Sequence, residues 1–232
     1  MTESEYLRDF ELVKDEVNIA MWSFYTHLNI LNYAAEDKTV FRKLNEHPTY
    51  WNVQLHSFQT TFFISLGRIF DDGKDTHSIH KLIAATVEHP EFFSVKALEK
   101  RKTAGGKKPD WLESYLEEAF EPRVADLRLL KKELAKYKKK FSAVYKDIRN
   151  LVFAHKILKD KEKVTELFGK TQVGEIEDML YFLHDLLENI WQLFQNGLRP
   201  DLGVRTYEYK EKIQKTTRSV LGSIVSSTKQ EA

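Results

Sequence analysis

The stretch LRLLKKELAKYKKKFSAVYKDIRNL, residues 127–151, determines the fold class. Its apolar residues Leu127, Leu130, Leu134, Tyr137, Phe141, Val144, Ile148 and Leu151 recur at alternating steps of three and four. That spacing places them on one face of a long helix. Pro122 lies just upstream and suits a first-turn position, where its missing N–H costs no hydrogen bond. Three more stripes of this kind flank it. Tyr6, Phe10, Val13, Val17, Ala20, Phe24, Leu28 and Leu31 mark a first helix. Trp51, Leu55, Phe58, Phe62, Leu66 and Ile69 mark a second, after a break at His47-Pro48. Ile176, Met179, Leu183, Leu186, Ile190 and Leu193 mark another, stopping before Gly197 and Pro200 in the usual order of stop signals. Four long amphipathic helices predict an all-α bundle, and no segment shows the sustained period-two alternation of a sheet.

Between the second and third long helices, residues 73–121 predict an insertion of short helices. One is expected from Ser78 to Glu88 and one from Val95 to Lys100. A third should start at Asp110, with Glu113 as its capping partner. The stretch Lys102 to Pro109 predicts a mobile loop, whose basic residues after Arg101 suit either a specificity element or a plain surface excursion. Residues 1–200 form the expected bundle, and residues 201–232 a peripheral helix with a frayed tail.

Composition narrows the chemistry. Of 232 residues, 42% are hydrophobic and 12% aromatic, enough for a sizeable core. With 36 basic against 35 acidic residues, any site for a polyanion must be a local patch. The chain has no cysteine, which excludes disulfides, cysteine-ligated metals and thiol catalysis. Met1 to Phe10 is acidic and helical in pattern, unlike a secretory leader, and no apolar run reaches the roughly 18 residues that span a bilayer. A cytoplasmic location without membrane contact is the expectation. Asp71, Asp72, Asp75, His77 and His80 crowd a short stretch and could ligate a metal, but acids before a helix are ordinary caps and no second ligand group is evident. No metal and no cofactor is predicted.

The chemistry-bearing stretch is Asp147-Ile-Arg149-Asn150-Leu-Val-Phe-Ala-His155-Lys156. An arginine, an adjacent asparagine, four apolar residues and a histidine resemble the Rx4–6H motif of the HEPN superfamily of helical bundles. The likeness is greatest to abortive-infection proteins of the AbiU type. Ser65-Leu-Gly-Arg68-Ile-Phe-Asp71, the start of the last long helix at Gly174 to Leu183, and its end at Gln195 to Pro200 resemble the same group. The resemblance covers roughly residues 50–200. Arg42 and His47 offer a second match to the spacing, but it ends at a proline and lacks the asparagine.

The resemblance implies a metal-independent endoribonuclease of toxin or abortive-infection type. RNA carries its own nucleophile, so the enzyme need supply only proton transfer and charge stabilisation. His155 would be general acid or base, its unperturbed pKa being about 6.5. Arg149 would stabilise charge on the phosphate, and Asn150 would orient His155 or bind substrate. Lys146 and Lys156 flank the motif as candidate substrate contacts. Arg68 is a further one, although it could simply pair with Asp71. The other lysines from Lys131 to Lys140 suit a solvated face. On a straight α-helix six residues leave Arg149 and His155 about 120° apart and about 9 Å along the axis. Either the helix breaks near Phe153 or the pocket is composite. HEPN ribonucleases pair their motifs across a homodimer, which implies a dimer with a composite site here, and an antitoxin or other regulatory protein as partner. Two other readings stay open: a non-catalytic HEPN-like scaffold that binds RNA or protein, and a nucleotide-binding module. His155 lies seven residues after Ile148, so a histidine packed at the core edge satisfies the same spacing.

Overall fold

The computed structural model describes residues 1–73, 76–106, 108–154, 160–203 and 208–227. Among them there are only helices and connecting turns, so the chain is an all-α bundle. The four long helices are α1 (Glu3–Glu36), α3 (Pro48–Ile69), α7 (Val124–Lys140, wound on beyond its α-helical part) and α9 (Val173–Asn196). The short helices are α2 (Lys38–Glu46), α4 (Ile79–Glu88), α5 (Val95–Lys102), α6 (Leu112–Glu118) and α8 (Lys161–Gly169), and a peripheral helix α10 (Glu208–Ser227) follows the bundle. No helix among the described residues is long and apolar enough to cross a membrane.

Local chemistry sets the boundaries. Thr2 and Glu5 form a reciprocal capping box at the start of α1. Asp37 ends α1 and caps α2, its Oδ1 accepting from the N–H groups of Thr39 and Val40 at 2.7 and 3.3 Å. Pro48 opens α3, and Gly197 ends α9 with φ +62°, a left-handed turn that favours glycine. A β-carbon there would also lie 2.8 Å from Leu98 and 2.9 Å from Ala119.

The four apolar stripes make the core except for the first half of α3, where Trp51, Leu55 and Phe58 are only half-buried. Three further departures from the sequence reading stand out. In α1 the buried set runs as predicted to Phe24, then passes to Tyr25, Asn29 and Ile30, leaving Leu31 exposed. A 3.5-residue repeat drifts about 20° per heptad around a straight helix, and α2 and α10 cover that end of α1 instead. The second departure lies beyond α7, where residues Phe141–Tyr145 and Ile148–Ala154 are π-helical. Within the first of these, Tyr145 is fully buried and Val144 half-buried, so the inward step falls at 145 rather than 144, between the predicted Phe141 and Ile148. Third, α6 starts at Leu112 with Trp111 at its N-cap and no side-chain cap, so the expected Asp110–Glu113 pair does not form the helix start. The helices α2 and α8 have no counterpart in the sequence reading. Helix α8 carries only a short apolar face, Val164, Leu167 and Phe168, half-buried against the core.

The insertion is pinned to the end of α9. Phe120 N–H donates to Gly197 O at 2.8 Å, and Tyr115 Oη donates to Asn196 O at 3.0 Å. The Arg101 guanidinium donates to Phe92 O (2.9 Å) and Phe194 O (2.6 Å) and lies 3.9 Å from the Phe194 ring centroid. Helix α10 packs on α1 and α2 and buries Thr217 and Leu221.

Candidate functional site

Arg149 and Asn150 begin the second π-helical segment, Ile148–Ala154. Winding of this kind opens the ladder and is common at functional sites. The segment is anchored by Phe153, whose ring stacks on Phe63 of α3 at 4.9 Å and meets Phe168 of α8 edge-on at 6.1 Å. Ile148, fully buried, holds its other end.

Gly67 of α3 makes room for Arg149. A β-carbon at Gly67 would lie 2.6 Å from Arg149 Nε, 2.9 Å from its Cγ and 3.0 Å from its Cδ. The arginine stem therefore lies across the α3 backbone, where any other residue would displace it. Its Nη1 donates to Asn150 Oδ1 at 2.7 Å, so the asparagine orients the guanidinium. Arg149 Nε is buried and has no hydrogen-bond partner among the described residues. A buried, cationic donor left unpaired is costly unless an acceptor reaches it.

The two residues line a cleft of about 130 Å³ with Gly67, Phe70, Asp71, Asp72, Phe141, Ser142 and Lys146. The Lys138 ammonium donates to Asp72 and holds its carboxyl below the usual carboxylate range, with weaker help from the charges of His80 and Lys146. His80, whose ring lies 5.9 Å from that of Phe70, is pushed down to about 4, chiefly by burial and then by Lys138. It is neutral at physiological pH.

Of the residues predicted from sequence, Arg149, Asn150 and Lys146 share this cleft. Arg68 turns away from it: its exposed side chain reaches Glu16 of α1 at 3.3 Å rather than Asp71, whose Oδ1 accepts from Gly73 N–H. His155 and Lys156 lie outside the described residues, as does Asp75. Asp72, His77 and His80 go to separate partners, His77 lying 3.1 Å from Asp9. No group of three potential metal ligands converges among the described residues. Gly67, Phe70, Phe141 and Ser142 were not legible as site residues. The one signal was an isolated glycine inside the apolar stripe of α3, which marks a close approach.

Comparison with known proteins agrees with the family resemblance. The family model of AbiU2, a HEPN domain, matches residues 3–215 and so takes in the first helix, which the sequence resemblance left out. No curated protein and no solved structure matches the chain. With the family model spanning nearly the whole bundle, the chain belongs to the AbiU2 family of HEPN domains.

Proposed function

We propose that the chain is a metal-independent endoribonuclease of the toxin or abortive-infection kind, acting as a cytoplasmic homodimer. The observation that carries this reading is the Arg149 guanidinium held across Gly67, oriented by Asn150 and with its buried Nε unpaired. The charge and planar fork of the guanidinium at this cleft favour a phosphate oxygen as ligand. Lys146 beside it adds a second positive charge to the same cleft.

In the proposed reaction the RNA 2′-oxygen bonds to the adjacent phosphorus and the bond from phosphorus to the 5′-oxygen breaks. One proton leaves the 2′-hydroxyl and one reaches the departing 5′-oxygen. His155 is the group we assign to proton transfer, in one chain or across the dimer. Arg149 stabilises the added charge on the phosphate. The products are a 2′,3′-cyclic phosphate and a 5′-hydroxyl, and DNA is not cut. An antitoxin or other regulatory protein would restrain the activity.

The test compares wild type with Arg149→Ala and His155→Ala on total RNA in excess EDTA, with folding checked by circular dichroism. The expected losses are about 10²–10³-fold for the arginine and about 10²–10⁴-fold for the histidine. Equal cleavage by all three would refute the assignment of the site. The second reading, a non-catalytic scaffold, is favoured by Asp71 and Asp72 in the cleft wall, since carboxylates weaken a phosphate site. Intact RNA with wild type, together with retained RNA or protein binding, would select it.

A further inference from the structure

A second cavity lies away from Arg149. It is a groove of about 490 Å³ between α1, α3 and α10, within the range of small-ligand sites. Three helix faces converge on it, each at a spacing of about four: Trp22, Thr26 and Ile30 on α1; Tyr50, Gln54 and Phe58 on α3; Ile213, Thr217 and Leu221 on α10. Phe58 lies nine residues before Gly67 on α3, about 14 Å along the axis, so groove and cleft are separate. Threonines at the middle of two of these faces are too short to fill the space between the helices, which leaves the aromatic walls unpacked. Trp22 is 49% exposed and Tyr50 58%, unusual for side chains of that size.

The lining has a definite chemical sign. Its walls are aromatic, from Trp22, Tyr50, Trp51 and Phe58. The polar residues on its lining are Thr26, Tyr50, Gln54, Lys212, Thr216 and Thr217, and it has no carboxylate. Such a wall stacks on a flat ring and offers donors to an anion. The helix surfaces flanking it turn polar, at Asn52 and Ser57 on α3 and at Lys215 and Ser219 on α10, all exposed. Val53 on α3 and Val220 and Ile224 on α10 add exposed apolar surface beside these polar positions, but the cavity volume of about 490 Å³ is that of a small-ligand site rather than of the long track of a partner helix. We infer that the α1–α3–α10 groove binds a small planar aromatic anion, its ring among Trp22, Tyr50 and Phe58 and its acid group at Lys212. This site is independent of the ribonuclease reading.

The probe is 8-anilinonaphthalene-1-sulfonate, paired with N-phenyl-1-naphthylamine, the same ring system without the sulfonate. Each is titrated into the full chain, with native packing confirmed by near-ultraviolet circular dichroism. The expected result is saturable binding of one sulfonate dye per chain, with energy transfer from tryptophan and a raised Tm. Trp22→Ala and Thr216→Phe, one removing a wall and one filling the groove, should each weaken it at least tenfold. Lys212→Gln should weaken the sulfonate about fivefold and leave the neutral dye unchanged. Absence of saturable binding, or binding indifferent to Trp22→Ala and Thr216→Phe, overturns the proposal. An equal effect of Lys212→Gln on both dyes overturns the anion preference. A sedimenting dimer that excludes the dye and dissociates on Trp22→Ala assigns the groove to a second copy of the chain, and likewise overturns it.

Discussion

Gly67 and Arg149, 82 positions apart in the sequence, are packed so closely that a β-carbon on the first would lie 2.6 Å from Nε of the second. The atoms in the way belong to a side chain rather than to backbone. Gly67→Ala should therefore move Arg149 more than it disturbs the bundle. The expected outcome is a fall in RNA cleavage of at least about tenfold, with a stability change of no more than about 1–3 kcal/mol. Thermal melts and cleavage assays on the same preparation check it. Unchanged cleavage would mean that Arg149 does not act from this position.

Asn150 holds the guanidinium through a hydrogen bond of 2.7 Å to its neutral amide oxygen. Asn150→Asp would replace it with an ion pair and cancel the charge offered to phosphate. Binding of a non-cleavable RNA should weaken more for Asn150→Asp than for Asn150→Ala, with no loss of melting temperature in the aspartate variant. Fluorescence anisotropy with labelled RNA gives the ranking.

Lys146 lines the cleft without being packed into the core. If it meets a phosphate of single-stranded RNA, Lys146→Gln should lower the slope of log affinity against log salt by about 0.7, whatever the RNA sequence. A slope equal to that of wild type would remove Lys146 from the contact set.

His80 predicts an acid-side loss of stability. Its folded-state pKa of about 4 lies below the ordinary value of 6.5, so the unfolded chain binds the proton more readily. Its contribution is full above pH 6.5 and is lost as pH falls towards 4. Burial drives the shift, and Lys138 and Lys131 reinforce it against Asp72. His27 and His184, also lowered by burial, act in the same direction. Urea unfolding between pH 7 and pH 4 should show a shallower decline for His80→Gln than for wild type. Parallel curves would contradict the assignment.

Arg101 ties the insertion to the end of α9 through the Phe194 carbonyl and ring, and braces the insertion internally through the Phe92 carbonyl. Arg101→Leu leaves Phe92 O and Phe194 O without this donor. The expected cost is about 2–4 kcal/mol, or a fall in Tm of about 5–15 °C for a domain of this size. Calorimetry measures it.

The sequence by itself determined the helical class, the four long stripes and the motif at Arg149, Asn150 and His155. Burial of one apolar face writes a period of three and four directly into residue order, so Leu127, Leu134, Ile176 and Leu183 could be assigned to the core unaided. The insertion helices α4 and α5 were legible for the same reason. Helix α8, whose apolar face is one turn long and only half-buried, was not. Winding also escaped the sequence. The π-helical segment that carries Arg149 is held by Phe153 packing on Phe63 and Phe168, contacts that residue order within the helix does not specify. Only the tertiary structure brought Gly67 beneath Arg149, turned Arg68 to Glu16 and opened the groove between α1, α3 and α10. Each depends on how one helix lies against another, and periodicity within a helix specifies which face is buried but not what that face meets.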